Sequence, residues 1–199
     1  MGLIDKQFIQ SALTHNATYL RGHGAEPDSD FLGFGMVYYG VIHAIRANVA
    51  VVLGSGGGFI PRVVRQAQLD MGLIDSETYL IDGDMGKWGR PDWMDENSFF
   101  RTNWPDIKCI KKTTIEAVKL FPSGVDYVHI DADHSRALED FKLYGPLVRK
   151  GGVVTLHDTN TKGGCNAKEA VRFIRDLPHW DVIDWNIGVG IGLAYRREW

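Results

Sequence analysis

Residues 49–58 decide more about this chain than any others: Val49-Ala50-Val51-Val52-Leu53 runs directly into Gly54-Ser55-Gly56-Gly57-Gly58, and a helical pattern with Pro61 in its first turn follows. An unbroken apolar run of this length reads as a strand buried on both faces, the state of a strand inside a parallel sheet covered by helices. Glycine at four of the next five positions makes a tight turn into the helix, where bare backbone N–H groups can approach a ligand at the helix N-terminus. Val63, Val64 and Ala67 then share one helix face, and Gly72 stands just past its end.

The alternation continues down the chain. Thr78 to Asp82, Ile107 to Ile110, Tyr127 to Asp131 and Val153 to His157 read as further strands. Thr113 and Glu116 form a capping box for a helix through Phe121, stopped by Pro122-Ser123-Gly124. A helix is expected from about Ser135 to Lys150-Gly151-Gly152, with Pro146 bending its last turns, and another, capped by Asn166, through Leu177. Two closing strands, near Asp181 to Trp185 and Gly190 to Tyr195, are linked too briefly for a crossover, so the final one is expected antiparallel. The expected fold is α/β and Rossmann-like, doubly wound: a mostly parallel seven-stranded sheet with an antiparallel final strand and helices on both faces. Residues 1–47 read as a helical lead-in or cap, with helices over Lys6 to Leu20 and Phe31 to Arg46 and a mobile run of breakers, Arg21 to Asp28, between them. Residues 48–199 form the main domain, with an aromatic insertion at 86–105 that carries Trp88, Trp93, Phe99, Phe100 and Trp104. That insertion is read either as an acceptor wall or as packing onto the sheet or onto a second copy in a homo-oligomer.

Composition narrows the function. The 199 residues are 44% hydrophobic, enough for one core, and the net charge of −3 lacks the basic footprint of a nucleic-acid binder or a membrane-surface protein. The longest greasy stretch, Phe31 to Ile42, is too short to span a bilayer and is broken by Gly33, Gly35 and Gly40. Cys109 and Cys165 have no metal-ligand spacing and are too few for a disulfide framework. Together with the early acid Asp5 and the lack of an apolar leader, they point to the cytoplasm.

Ligands of such sheets sit beyond the carboxyl ends of the strands, so the residues ending each strand carry the chemistry. The glycine run fails the dinucleotide fingerprint because Phe59 stands at its sixth position, and it fails the P-loop because no Gly-Lys-Ser/Thr follows. Asp82, 28 residues beyond Gly54, can accept hydrogen bonds from ribose hydroxyls; Asp84 could do the same, or both could simply shape a turn. The densest cluster is His129-Ile130-Asp131-Ala132-Asp133-His134 after one strand and His157-Asp158-Thr159-Asn160 after the next. Asp131 and Asp158 are hard oxygen ligands suited to magnesium or another divalent ion, and His134, with an unperturbed pKa of about 6.5, is the candidate general base. Against this stands a structural reading, in which Asp133 and Ser135 cap a helix and His129 and His157 are hydrogen-bonded core residues.

Gly54 to Gly58, Asp82, Asp131-Ala132-Asp133-His134 through Asp140-Phe141, Lys150-Gly151-Gly152 and His157-Asp158 together resemble the class I S-adenosylmethionine-dependent methyltransferases, and among them the small-molecule and sugar O-methyltransferases. The resemblance spans about residues 48 to 195. It implies S-adenosylmethionine as cofactor, contacted by Gly54, Ser55, Gly56, Gly58, Asp82, Thr113 and Asp131, with Asp131 and Asp158 as metal ligands and His134 as catalytic base. Two positions depart from the family pattern: Val52 replaces an acid two residues before the first glycine, and His157 replaces a carboxylate of metal-dependent relatives. The reading that follows is O-methylation of a small hydroxylated acceptor. Its rivals are a catalytically inactive S-adenosylmethionine- or nucleoside-binding protein and another Rossmann-like nucleotide enzyme.

Overall fold

A computed structural model of the chain describes residues 4–13, 20–26, 29–54, 56–83, 92–160 and 167–198. One seven-stranded sheet holds β1 (Val49–Leu53), β2 (Glu77–Ile81), β3 (Lys108–Ile110), β4 (Val125–Ile130), β5 (Val148–His157), β6 (Trp180–Trp185) and β7 (Ile191–Arg196), in the order β3-β2-β1-β4-β5-β7-β6. The first five strands run parallel, and β7 is antiparallel to both of its neighbours. The alternation of strands and helices and the short final link had predicted this arrangement.

The apolar run of β1 explains its central place. Ala50 and Val52 face one core with α1 (Lys6–Leu13), α2 (Gly35–Ile45), α3 (Phe59–Asp70) and α4 (Phe99–Asn103), whereas Val51 and Leu53 face the other. That second core is covered by α5 (Thr114–Ala117), α6 (Ala137–Tyr144) and α7 (Ala167–Arg175). A strand between two cores needs apolar residues at every position. The buried carboxylate of Asp126 at the start of β4 locks the register from below: it accepts the N–H groups of Asn48 and Val49 at 2.9 and 2.8 Å and pairs with Arg149. Because the chain steps from β1 to β2 on one side and β4 lies on the other, the crevice between the carboxyl ends of β1 and β4 is the topological switch point where such sheets place ligands.

Several expected boundaries shift. The helix expected from Ser135 to Lys150 ends at Tyr144; a 3₁₀ turn, Gly145–Leu147, follows, and Lys150-Gly151-Gly152 lies inside β5. Pro146 stops the helix because it has no N–H to donate to the preceding turn. The two glycines permit a bulge at which the β4–β5 register passes from Val125↔Val148 to Tyr127↔Val153. Gly151 has φ +76°, and a Cβ on Gly152 would lie 2.7 Å from the Asp126 carbonyl. The helix after Thr113 is α-helical only over Thr114–Ala117 and continues as 3₁₀ through Leu120. Asn166, Trp88 and Asp84 lie outside the described residues.

The N-terminal breaker run is built into the fold, as far as its described residues show. A 3₁₀ turn, Leu20–His23, leads to buried His23 and Ala25. Phe34 donates its N–H to the His23 carbonyl at 2.7 Å, and a Cβ on Gly33, at φ +52°, would lie 2.4 Å from that carbonyl oxygen. In the aromatic insertion, Trp93, Phe100 and Trp104 are buried, with the guanidinium of buried Arg62 4.9 Å from the Trp104 ring, so these aromatics belong to the core rather than to an open wall. Among the described residues, no helix is long and apolar enough to cross a membrane.

Candidate active site

The glycine loop is required first by the protein itself. Gly54 has φ +84°, and a Cβ there would lie 2.1 Å from the Asp131 carbonyl oxygen and 2.7 Å from Ala132 Cα. The missing side chain therefore lets the ends of β1 and β4 close against each other. Gly58, at φ +79°, opens α3, and a Cβ on it would meet the Phe100 ring at 2.8 Å. Gly56, at φ +44°, is exposed, and the N-cap residue Gly58 has no side chain with which to cap α3, so the loop and helix start can receive a polar ligand. Ser55 lies outside the described residues.

The remaining cofactor candidates stand at neighbouring strand ends. Asp82 directly follows β2 and donates its backbone N–H to the Ile110 carbonyl at the end of β3, at 3.2 Å. Thr113 lies beside Gly83, with 3.4 Å between its Cγ2 and a Cβ placed there. Its hydroxyl is engaged in the expected capping box, donating to Glu116 at 2.7 Å and accepting the Glu116 N–H at 3.3 Å. Asp133 likewise caps, accepting the Ser135 N–H at 3.0 Å and its hydroxyl at 2.7 Å, as the structural reading of that residue had it.

The parallel neighbours β4 and β5 bring Asp131, His134, His157 and Asp158 into one cluster. His134 bridges the two carboxylates, Nε2 to Asp131 Oδ1 at 3.0 Å and Nδ1 to Asp158 Oδ2 at 2.8 Å. An imidazole with both nitrogens on carboxylates must carry both protons. Its hydrogen bonds to Asp131 and then Asp158 outweigh burial and push the imidazole up to about 10. The expected unperturbed base is thus an imidazolium in this geometry. Burial raises Asp158, but the His134 hydrogen bond and the nearby His157 ring prevail and hold it below the usual carboxylate range. Asp131 behaves alike, with His157 the leading opposing charge. Among the described residues, Asp158 is also one of two non-glycine residues at positive φ, +60°, a conformation that aspartate tolerates better than most residues.

His129 and His157 are hydrogen-bonded core residues, as the structural reading has them, on Thr155 and the Gly22 carbonyl, and they also face the cluster. Both are buried, and both aim a ring nitrogen at Asp131: His157 Nδ1 at 3.2 Å from Oδ1 and His129 Nε2 at 3.8 Å from Oδ2. A further histidine, which the sequence reading missed, completes the set: His23 Nε2 lies 3.7 Å from Asp131 Oδ2, and its ring centroid is 4.1 Å from that of His157. The only local signal was a histidine between two glycines, and its place beside Asp131 arises from packing over more than a hundred residues of sequence separation.

A family model described as a methyltransferase domain matches residues 51–159, more than half of the chain. No curated protein matches the sequence. Among solved structures, an O-methyltransferase from Bacillus cereus in complex with SAH is 13% identical with a TM-score of 0.73, the match covering 98% of this chain and 92% of that one. The SAH-bound methyltransferase PaMTH1 of Podospora anserina is 12% identical, with a TM-score of 0.71 and coverage of 98% and 89%. The O-methyltransferase TomG of Streptomyces achromogenes, in complex with SAM and involved in tomaymycin synthesis, is 13% identical, with a TM-score of 0.69 and coverage of 98% and 91%. These likenesses show a shared fold, and the matched segment runs from within β1, through the glycine loop and Asp82, to the residue after Asp158. The chain therefore belongs to the methyltransferase-domain family, within the class I S-adenosylmethionine-dependent methyltransferases.

Proposed function

We propose that the protein is an O-methyltransferase acting on a small hydroxylated acceptor of the sugar or natural-product kind, with the strand ends of β1 and β2 holding the cofactor and the Asp131–His134–Asp158 cluster handling the acceptor proton. The observation that carries this reading is the contact between its two halves: Gly54 of the cofactor loop packs directly on the backbone of Asp131, so methyl donor and proton-handling cluster share one crevice. The O-methyltransferases among proteins of the same fold support the choice of oxygen as the acceptor atom.

S-adenosylmethionine supplies the methyl as a sulfonium electrophile and leaves as S-adenosylhomocysteine, so an acceptor oxygen forms the new C–O bond as the C–S bond breaks. The chain's own task is to align that oxygen and take its proton. Gly56 and the start of α3 at Gly58 receive the polar part of the cofactor, and Asp82 its ribose. His134, its side chain 43% exposed, is the most open of the cluster's histidines and can exchange its proton with water. It acts as a base after losing one of its two protons, and general-base help of this kind is worth about 10²- to 10⁴-fold. Asp131 and Asp158, with oxygens close to one another about His134, are the residues that would hold a divalent ion such as magnesium, which would lower the pKa of a bound hydroxyl.

The test uses calorimetry with S-adenosylmethionine and methyl transfer to a panel of catechols, phenols and sugars. His134→Ala is expected to lower turnover by about 10²-fold or more at nearly unchanged cofactor affinity, and Asp82→Ala to weaken cofactor binding first. Full turnover in the His134 variant would remove it from the mechanism, and a protein that binds no S-adenosylmethionine would overturn the whole reading.

A further inference from the structure

Three imidazoles converge on one carboxylate from three separate parts of the chain. His23 comes from the N-terminal 3₁₀ turn, His129 from the end of β4, and His157 closes β5. Each has its outer nitrogen on a protein polar group: His23 Nδ1 lies 3.4 Å from the Tyr38 hydroxyl, His129 Nδ1 2.8 Å from Thr155 Oγ1, and His157 Nε2 3.1 Å from the Gly22 carbonyl. Each inner nitrogen points at Asp131. All three rings are at least 94% buried, and neither His129 Nε2 nor His157 Nδ1 makes a hydrogen bond.

His157 fixes the chemistry. A carbonyl can only accept, so Nε2 donates to Gly22 and Nδ1 is left facing the site. It stands 3.2 Å from Asp131 Oδ1 and 3.4 Å from Asp158 Oδ1, so that nitrogen either carries a second proton toward the carboxylates or gives its lone pair to a metal ion shared with them. Outer nitrogens held by carbonyls and hydroxyls are how metal-ligating histidines are oriented. One donor atom from each of His23, Asp131 and His157 lies within 4.8 Å of the others. Ligands at about 2.1 Å from a shared ion stand roughly 3.0–3.4 Å apart, so the set closes on an ion by contracting, by up to about 1.4 Å at its widest.

We propose that His23, His157 and Asp131, with His129 beside them, form a binding site for one divalent transition ion of the zinc, iron or cobalt class. Two or three imidazoles and one carboxylate favour such borderline ions, whereas magnesium prefers an all-oxygen shell. The site differs from an ion held by Asp131 and Asp158 alone, since its nitrogen donors include a residue of the N-terminal segment. It clasps that segment to the ends of β4 and β5 and leaves half-exposed His134, on buried Asp158, as the proton-handling group. It shares Asp131 with the proposed reaction and to that extent rests on that reading, but its test reads metal directly.

Full-length protein, stripped by chelator, is titrated with Co²⁺ and followed by visible absorption, with Zn²⁺ and Mg²⁺ titrated in parallel by calorimetry. The expected result is one Co²⁺ per chain with a visible d–d band, displaced by Zn²⁺ and not by equimolar Mg²⁺. His23→Ala should weaken Co²⁺ binding at least 10²-fold. Tyr38→Phe, which keeps the ring and removes the hydroxyl facing His23, should weaken it about 10-fold and covers the case in which the alanine variant fails to fold. His134→Ala should leave the band in place. No d–d band, displacement by Mg²⁺, or full affinity in the Tyr38 variant overturns the site. S-adenosylmethionine binding, measured on the same samples, tells that outcome apart from failure of the methyltransferase reading.

Discussion

Gly54→Ala separates the two reasons for which a glycine can stand in the cofactor loop. If Gly54 is there for the protein, the added methyl must fit 2.1 Å from the Asp131 carbonyl oxygen. That oxygen has little room to retreat: the Asp131 N–H is bonded to the Leu53 carbonyl at 2.9 Å and the Gly54 N–H to the Ile81 carbonyl at 2.8 Å, so the three strand ends move together or not at all. The φ of +84° adds the strain of a left-handed L-residue, about 1–2 kcal/mol. Forced overlap in a packed interior adds about 1–3 kcal/mol, for a total of about 2–5 kcal/mol. Gly72→Ala supplies the control, because Gly72 has a similar φ of +73° but open space where its Cβ would stand, and should lose only about 1–2 kcal/mol. Urea unfolding at unchanged m-value reads both. If the two variants are equally stable and only Gly54→Ala loses S-adenosylmethionine, the glycine serves the ligand and the packing argument is refuted.

Other perturbations have equally definite outcomes. The raised pKa of His134 contributes stability that is complete below its unfolded value of about 6.5 and is lost as pH rises through about 10, so the thermal midpoint of chelator-treated protein should fall across that window. Asp158→Asn should flatten that fall, and an unchanged slope would show that His134 is not held by Asp158. Removing the capping box with Thr113→Ala should cost about 1 kcal/mol in urea unfolding, and no loss would mean that the hydroxyl does not cap α5. Asp126→Ala strands the N–H groups of Asn48 and Val49 and the Arg149 guanidinium, and should cost about 3 kcal/mol; a loss under 1 kcal/mol would show that β1 keeps its register without the carboxylate.

The sheet was legible because its central strands are buried on both faces and announce themselves as apolar runs, and because the carboxyl ends of β1, β2, β4 and β5 fall on a glycine, an aspartate or a histidine. Thr113 and Glu116 were legible because a capping box is a purely local device. Lys150-Gly151-Gly152 misled for the opposite reason. Two glycines after a helical pattern signal a helix end, yet here they make a bulge where Gly152 lies against the Asp126 carbonyl, 26 residues upstream. His134 does lie beside Asp131 and Asp158, but its charge was not readable, since it depends on both ring nitrogens finding carboxylates at once. His23 was out of reach altogether: nothing local distinguishes a histidine in a surface turn from one folded down onto Asp131.

The position of Asp158 shows why the antiparallel end of the sheet matters to the site. A residue at φ +60° directly after β5 turns its carboxylate back toward His134 and His157 instead of continuing outward along the strand. Such a conformation persists only where the surroundings over-determine it, and here the next residues are anchored by the last two strands. Thr159 donates its hydroxyl to Asp184 of β6 at 2.8 Å, and the Asn160 N–H bonds the Val189 carbonyl at 2.7 Å. Gly190 must lack a side chain because a Cβ there would lie 2.5 Å from Thr159 Oγ1 and 2.6 Å from the Asn160 nitrogen. The reversal of β7 brings these groups alongside the end of β5; a parallel seventh strand entering from the opposite end could not begin at Gly190 and hold the turn from beneath. The antiparallel strand, which the short glycine-rich link makes obligatory, thus sets the direction of one of the two carboxylates on which the proposed chemistry depends.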